Sequence, residues 1–336
     1  NGQTPFTTVG FGLGTSWFER EIQKAILKVR IKGLGKQHRT AIFPKLVFSI
    51  KRGLNLNVGD PNYDIKQLAV ECATKRMYPD VLMYDKIVEL TGNFKAPMGC
   101  RSFLQAWKDA NGNEVNNGRM NLGVVTINLP RVALEARGNR EVFWEIMEDR
   151  IETARRALLF RIKRCRQAQP QNAPILYKNG AFGKRLSDDD DVDELFNKRR
   201  STISLGYIGL YEVGTAFFGS NWESNPEAHD FTVEIVKYLH DHCLAWEEKY
   251  GYHFSVYSTP AESLTDRFCE DDLEKFGEVK DITDKEYYTN SFHYDVRKNP
   301  TPFEKLLFEE EYPKYASGGF IHYCESVSNT QLRAHE

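Results

Sequence analysis

Short apolar segments alternate along this chain with long amphipathic ones, and this alternation limits the possible folds most strongly. The short segments are apolar or β-branched and are bounded by Gly, Pro or polar residues, as buried strands are. They are residues 46–50, 81–84, 122–129, 202–208 and 254–258. Strands that alternate with helices favour an α/β architecture with a mostly parallel sheet or barrel.

Two helices are the clearest of the predicted elements. Residues 139–166 carry apolar side chains at three- and four-residue spacing from Phe143 to Cys165, while Glu and Arg fill the opposite face. Residues 227–250 carry a similar stripe from Phe231 to Trp246. Both helices are long enough to flank a barrel.

Composition excludes several classes of protein. The chain has 336 residues, of which 41% are hydrophobic, so it can bury a large core in one large domain or two ordinary ones. A formal net charge of -2 predicts neither a nucleic-acid-binding nor a membrane-surface protein, so any anionic ligand must be held locally. Because the sequence has no long apolar run and no signal-peptide pattern, we expect a cytoplasmic protein.

The cysteines are scattered and form no C-x-x-C pair, which argues against a zinc ribbon and against a disulfide framework. They are Cys72, Cys100, Cys165, Cys243, Cys269 and Cys324. We expect reduced thiols and no metal site. The chain begins at Asn1 without a methionine and ends at Glu336 without a structural stop signal, so we expect a piece of a longer protein.

A stretch punctuated by Gly and Pro, residues 95–99, precedes Cys100 and predicts a tight loop that presents this cysteine. A lone loop cysteine is more often structural than catalytic, so a catalytic role for Cys100 depends on the motifs around it.

Downstream, residues 116–130 are predicted to form a strand that begins with amide side chains and an arginine. Polar side chains at the entry of a buried strand need partners, and a ligand is one candidate. The alternative is that Asn121 and Asn128 cap turns.

Two glycines, Gly206 and Gly209, lie in and after a predicted strand, where they cost stability unless something packs closely against the backbone. Glu212 follows them as a candidate acid or base, or as a negative charge at a helix N-terminus, which is the more common role.

Residues 256–263 predict a strand, a turn and a helix start. Ser258 or Thr259 would be the N-cap, with Pro260 at the first helical position. Such a helix end suits a phosphate, although every well-formed helix N-terminus has this pattern.

Two further motifs are interpreted as surface features. His240 and His242 are two residues apart on a predicted helix and do not share a face, so they are not expected to hold one metal ion. The acidic run at 188–191, followed by Asp193 and Glu194, is predicted to be a solvated loop and not a metal site, because consecutive aspartates point in different directions.

In this order, the motifs resemble those of class III anaerobic ribonucleoside-triphosphate reductases, which are glycyl radical enzymes. The matching segments are residues 2–7, 43–48, 98–102, 121–123, 206–212, 258–263 and 318–323. The resemblance covers essentially the whole chain. It implies a ten-stranded α/β barrel of two antiparallel five-stranded halves, with a central finger loop that carries Cys100. Residues 1–336 would be the central part of this barrel domain, without the N-terminal regulatory domain and the C-terminal zinc and glycyl-radical region.

The resemblance also implies the chemistry. Cys100, as a thiyl radical, would take hydrogen from C3′ of the ribose, the 2′-hydroxyl would leave as water, and formate or another reductant would supply electrons. Asn121 and Ser102 would be catalytic residues that hydrogen-bond the ribose hydroxyls or the reductant. The implied substrate-binding residues are Ser258, Thr259, Pro260, Ala261, Glu262, Ser263 and Glu212. Neutral amides and hydroxyls suit a site that positions a sugar for radical transfer.

The implied partners are a ribonucleoside triphosphate, ATP and dNTP effectors, a radical-SAM activase and a second copy in a homodimer. The glycyl radical and a structural zinc are expected only in the missing C-terminal region, so these residues alone are expected to be inactive. Two alternatives are a formate-lyase-like glycyl radical enzyme and a non-catalytic nucleotide-binding protein. Formate-lyase-like enzymes generally carry adjacent loop cysteines, whereas Cys100 stands between Gly99 and Arg101.

Overall fold

The computed structural model describes residues 7–95, 97–99, 102–260 and 262–324, except for the side chains of Thr91 and Glu262. The chain divides into two compact units, residues 1–100 and 101–336. The assignment of residues 1–336 to the centre of a single barrel domain stays a prediction.

The first unit is built on a parallel sheet of three strands. The strands are β1 (Thr8–Phe11), β2 (Lys45–Ile50) and β3 (Asp80–Met83), and they lie in the order β1-β2-β3. The helices are α1 (Trp17–Lys32), α2 (Tyr63–Arg76) and α3 (Tyr84–Thr91). Helix α1 begins with a capping box, in which Ser16 and Glu19 satisfy each other's backbone N–H groups.

The second unit is built on another parallel sheet of three strands. They are β4 (Asn121–Asn128), β5 (Thr202–Ile208) and β6 (His253–Ser258), in the order β4-β5-β6. A parallel bridge between Tyr257 and Gly319 brings the segment around residue 319 alongside β6.

Helices lie between these strands in the sequence and after the last of them, and the two longest pack on one face of the sheet. The helices are α4 (Leu129–Ala136), α5 (Arg140–Arg166), α6 (Pro174–Tyr177), α7 (Leu210–Phe218), α8 (Pro226–Tyr250), α9 (Glu262–Phe276) and α10 (Pro302–Glu309). The two long helices begin at asparagine caps: the side chain of Asn139 accepts from the first backbone N–H groups of α5, and Asn225 does the same for α8.

Strand β5 lies at the centre of the second unit and is buried along its whole length. Its side chains alternate between two faces. Ile203, Leu205 and Tyr207 join the same hydrophobic core as the apolar stripes of α5 and α8, while Ser204 and Gly206 belong to the opposite face. The sheet therefore has an apolar face toward the helices and a polar face.

The predicted α/β architecture with parallel sheets is confirmed. The five predicted strands are present with ends within one residue, and the two predicted long helices begin within one residue of their expected starts. Strand β1 was not predicted, because its four residues contain a glycine and lack a clear alternation.

Two surface assignments need correction. His240 is half-buried beside the ring of Tyr315, and burial lowers the pKa of its imidazole. The aspartates at 188 and 189 are exposed in a loop, as predicted. Asp193, which follows this run, is instead buried and accepts a hydrogen bond of 2.7 Å from the hydroxyl of Tyr252. Tertiary contacts, which the local sequence pattern does not reveal, bury both side chains in part or fully.

Candidate functional site

The side chain of Asn121 is held in one orientation at the start of β4. The backbone N–H of Gly123 donates to its Oδ1 at 2.8 Å, and because an N–H can only donate, the atom facing it must be the amide oxygen. The amide Nδ2 then points toward two hydroxyls, that of Ser204 at 3.0 Å and that of Ser102 at 3.4 Å. Asn121 therefore combines a local turn contact with contacts to other segments.

The hydrogen bonds continue across the sheet from Ser204 to Ser255, whose hydroxyl oxygens lie 3.1 Å apart. These two residues are register partners on β5 and β6. We call Ser102, Asn121, Ser204 and Ser255 the polar row. Ser204 and Ser255 are fully buried, whereas Ser102 and Asn121 are half-buried. The row thus runs from a buried end to a partly open end.

Gly318 closes the buried end of the polar row. A Cβ at this position would lie 2.7 Å from the hydroxyl oxygen of Ser255, so no larger residue fits without a shift. The carbonyl of Gly318 also accepts a hydrogen bond of 2.8 Å from the backbone N–H of Phe103. The segment around residue 318 therefore packs between β6 and the segment that begins at Ser102.

The close backbone approach predicted at the glycines is present. A Cβ at Gly206 would lie 2.1 Å from the hydroxyl of Thr259 and 2.7 Å from that of Thr126. Gly209 has a φ of 77°, and a Cβ there would lie 2.2 Å from the ring of Pro130. These two glycines allow neighbouring side chains to pack directly against the backbone at the C-terminal end of β5.

The turn after β6 differs from its prediction. Helix α9 begins at Glu262, so Pro260 precedes the helix and is not its first residue. The buried hydroxyl of Ser258 lies 3.0 Å from that of Tyr207, and the hydroxyl of Thr259 lies 3.2 Å from that of Thr126. Contacts to neighbouring strands therefore engage both side chains that were expected to cap the helix. Ser263 is exposed in the first turn of α9, and Ala261 lies outside the described residues.

Glu212, a predicted substrate-binding residue, is fully buried in the first turn of α7. Its Oε1 accepts hydrogen bonds from the backbone N–H and the hydroxyl of Thr289, at 2.8 and 2.7 Å, and it forms an ion pair with Lys285. Lys285 also lies 3.5 Å from the carboxylate of Asp295. Burial acts to raise the pKa of Asp295, but hydrogen bonds from Arg297 and the charge of Lys285 outweigh it and lower the pKa.

A cavity of about 550 Å³ lies beside this ion-paired group. Thr265 in α9, Lys285, Arg297 and Lys305 contribute to its wall, together with the rings of Tyr287, Tyr288, Tyr294 and Tyr323. The wall therefore combines aromatic rings with charged groups, and its three cations are each paired with a carboxylate. Such a cavity suits a ligand with both a ring and polar groups.

A second buried carboxylate, Glu309, lies next to the cavity wall. Its oxygens contact Lys305, Nδ1 of His293 at 3.2 Å and Nδ1 of His322 at 2.7 Å. Burial acts to raise its pKa, but the hydrogen bonds from the two histidines and the nearby positive charges outweigh burial and lower the pKa. The carboxylate joins α10 to two loop segments.

Cys100 lies outside the described residues, as does Arg101. The other five cysteines are free thiols. Burial raises the pKa of each, to about 11 for Cys269. None of these five has the lowered pKa that marks a reactive thiolate.

Two features are absent from the described part of the chain, a metal-binding cluster and a membrane-spanning helix. No group of three or more His, Cys, Asp or Glu side chains in these residues is placed to hold a metal ion. No helix among them is long and apolar enough to cross a lipid bilayer.

Comparison with known proteins identifies the family. The sequence profile of the anaerobic ribonucleoside-triphosphate reductases matches residues 1–334. The chain belongs to this family. An anaerobic ribonucleoside-triphosphate reductase of Escherichia coli K12 is 55% identical over 97% of this chain and 46% of its own length. The enzyme of the same name from bacteriophage T4 is 51% identical and is covered over 53% of its length. The chain thus spans about half the length of these anaerobic reductases.

Solved structures of anaerobic ribonucleotide reductase share the fold. The Thermotoga maritima enzyme with dATP bound in its specificity site superposes with a TM-score of 0.61 at 19% identity, over 94% of this chain and 48% of that one. The same enzyme with citrate in its active site gives a TM-score of 0.57 at 18% identity, over 94% and 52% of the two chains.

Sequence reasoning missed several residues that the structure brings to this region. Ser204, Ser255 and Thr126 have ordinary identities for strands, and only the register of β4, β5 and β6 places them near Asn121 and Thr259. Thr202 and Ser204, two residues apart on β5, were the available signal, since polar residues at this spacing indicate a strand with one polar face. Lys285 gave no signal, because its partner Glu212 is distant in sequence.

Proposed function

We propose that this chain is the central catalytic part of an anaerobic ribonucleoside-triphosphate reductase, and that Cys100 is its thiyl-radical residue. The family match over residues 1–334 supports the reaction class. The observation that carries the site assignment is the polar row, in which an oriented amide and a hydroxyl, those of Asn121 and Ser102, lie at the partly open end. Cys100 is two residues before Ser102 in the sequence.

The proposal includes the architecture that the resemblance implies. This architecture is a ten-stranded α/β barrel of two antiparallel five-stranded halves, to which the parallel strands of this chain would belong. Cys100 would lie on a finger loop inside this barrel. The parallel bridge between Tyr257 and Gly319 supports a continuation of the second sheet beyond β6.

In the proposed reaction, the sulfur radical of Cys100 takes the hydrogen atom from C3′ of the ribose. The 2′-hydroxyl then takes up a proton and leaves as water, while formate supplies two electrons and a proton and is released as carbon dioxide. Cys100 returns its hydrogen atom to C3′, so that hydrogen has replaced the hydroxyl at C2′ and the sulfur radical is restored. Asn121 and Ser102 would hydrogen-bond the ribose hydroxyls or formate and hold them at reacting distance. Neutral donors suit this role because the step depends on position more than on an unusual pKa.

The triphosphate would bind near the start of α9, at residues 258–263. Ser263 is exposed there, and the first turn of a helix offers N–H groups and the positive end of a dipole. Ser258, Thr259 and Pro260 would shape this turn through their contacts with the sheet. Glu212 would act on the same end of the site indirectly, by fixing the segment that carries Thr289.

The cofactors and partners belong to the longer protein. The glycyl radical, which generates the sulfur radical, and a structural zinc would lie in a C-terminal region, and ATP or dNTP effectors would regulate the enzyme. We propose a homodimer that is activated by a radical-SAM enzyme and acts in the cytoplasm to supply DNA precursors.

The test is Cys100→Ser in the full-length protein. Formation of deoxynucleotides should vanish, while the dissociation constant for the ribonucleoside triphosphate, measured by equilibrium dialysis, stays within about twofold because triphosphate contacts are untouched. Cys165→Ser is the matched control, since Cys165 is a half-buried free thiol on α5. Turnover by the Cys100→Ser protein at the rate of the control would refute the proposal.

A further inference from the structure

The strongest unassigned feature is Ser204, which lies in the middle of the polar row. Its hydroxyl is fully buried and lies 3.0 Å from Nδ2 of Asn121 and 3.1 Å from the hydroxyl of Ser255. We propose that Ser204 is a positioning residue that sets the amide of Asn121 for the substrate, with Ser255 holding Ser204 in place. This inference rests on the proposed function, in which Asn121 contacts the ribose or the reductant.

The lengths of the two bonds from Nδ2 of Asn121 support this division of roles. An ordinary N–H···O bond is about 2.9–3.0 Å long. The bond to Ser204 has this length, whereas the contact with Ser102 is stretched to 3.4 Å. One hydrogen of the amide is therefore firmly held at the buried end of the row. The other is held weakly at the partly open end, where a ligand oxygen could replace or join the hydroxyl of Ser102.

The amide also cannot rotate to an alternative orientation at low cost. A flip would turn the NH₂ group toward the N–H of Gly123, so that two donors would face each other and the bond to Oδ1 would be lost. Ser204 and Gly123 thus hold opposite ends of the same amide. Since Ser204 is on the central strand and Ser255 braces it from β6, the holding group is itself rigid.

Strand β5 and the residue before it supply matched controls. Ser201 and Thr202 are as fully buried as Ser204, but their hydroxyls have no hydrogen-bond partner among the described residues. Ser201→Ala removes a buried hydroxyl from the same region without touching Asn121. The kcat of Ser201→Ala therefore measures the effect of removing a buried hydroxyl that does not contact Asn121.

The experiment compares Ser204→Ala with Ser201→Ala in the full-length, activated enzyme. Ser204→Ala should lower kcat about tenfold, since a small misplacement of a reacting group is costly. It should change the dissociation constant for the triphosphate less than about twofold, because that ligand is held mainly at the other end of the strands. Ser201→Ala should leave kcat within about twofold of the starting protein. Equal kcat values for the two variants would overturn the inference.

Substitutions made in an Asn121→Ser background distinguish a positioning role of Ser204 from a purely structural one. Asn121→Ser removes the amide that Ser204 holds, so adding Ser204→Ala to it should cost less than about twofold in kcat. A full additional tenfold loss would show that Ser204 acts independently of Asn121 and would overturn the inference. If Ser204→Ala does not fold, as judged by its unfolding midpoint, Ser255→Ala replaces it, and kcat should fall in the same direction while triphosphate binding persists.

The same variants distinguish a failure of the proposed function from a failure of the inference about Ser204. If Asn121→Ser has normal kcat, Asn121 is not a site residue, and both the site assignment and this inference fail. If Asn121→Ser lowers kcat strongly but Ser204→Ala is as active as Ser201→Ala, the proposed function stands and only the role of Ser204 is refuted.

Discussion

The hydroxyls of Thr126 and Thr259 lie 3.2 Å apart, and Gly206 leaves the space into which both of them project. A methyl group at residue 206 would lie 2.1 Å from the oxygen of Thr259. Strand β4 and the turn after β6 therefore meet over a position on β5 that has no side chain.

Gly206→Ala should destabilise the protein by about 1–3 kcal/mol, because an overpacked site forces its neighbours to shift. It should also weaken triphosphate binding, since Thr259 belongs to the proposed phosphate turn. Urea unfolding and equilibrium dialysis measure the two effects. Gly10→Ala is the control, because a Cβ at Gly10 meets no atom within 4 Å. Equal unfolding midpoints for the two variants would contradict this packing argument.

Lys285→Met should lower the free energy of unfolding by about 3–5 kcal/mol, because it leaves the buried carboxylate of Glu212 without its cation. The double variant Lys285→Met/Glu212→Gln should recover part of this loss, since the remaining amide carries no charge. Chemical denaturation of the four proteins in this cycle measures the coupling. Simple additivity of the two substitutions would show that the ion pair contributes nothing.

Glu309→Gln should reduce stability at pH 7 and have a smaller effect in acid. The pKa of Glu309 is lowered from 4.5 in the folded protein, so its ionised form stabilises the fold. This contribution is complete above the unfolded pKa and declines as the pH falls below about 4.5. Denaturation between pH 7 and pH 3.5 should show the wild-type advantage narrowing. Glu310→Gln, at an exposed position, should show no such pH dependence.

Thiol labelling should distinguish the cysteines. In a Cys100→Ser background at pH 8, a maleimide should modify the exposed Cys324 first. Cys243 and Cys269 should react only as the protein unfolds, because burial excludes the reagent and raises the pKa of both thiols. Mass spectrometry of peptides over time measures the order. Rapid native labelling of Cys243 would contradict the packing of α8.

Local patterns in the sequence predicted much of this fold. The apolar run at β5 and the stripe from Phe143 on α5 placed both elements correctly, because side-chain periodicity depends only on neighbours in the chain. The start of α9 was predicted too early. Its expected caps, Ser258 and Thr259, contact Tyr207 and Thr126 on other strands, and such contacts outweigh local capping preferences.

The site was predictable only in part. Asn121 and Ser102 were identified from motifs, and the structure brings their side chains within 3.4 Å. Their role in catalysis stays a prediction, as does that of Cys100. Ser204 and Lys285 were missed, because their importance depends on strand register and on partners far away in the sequence.

The all-parallel order of β4, β5 and β6 also bears on how the protein is made. Parallel neighbours need long crossovers, and here α4, α5 and α6 separate β4 from β5, while α7 and α8 separate β5 from β6. During synthesis, β4 therefore cannot pair with β5 until three helices have been translated. Folding dominated by such distant pairings is slow and leaves unpaired backbone open to aggregation. Low temperature and slow expression should accordingly raise the soluble yield.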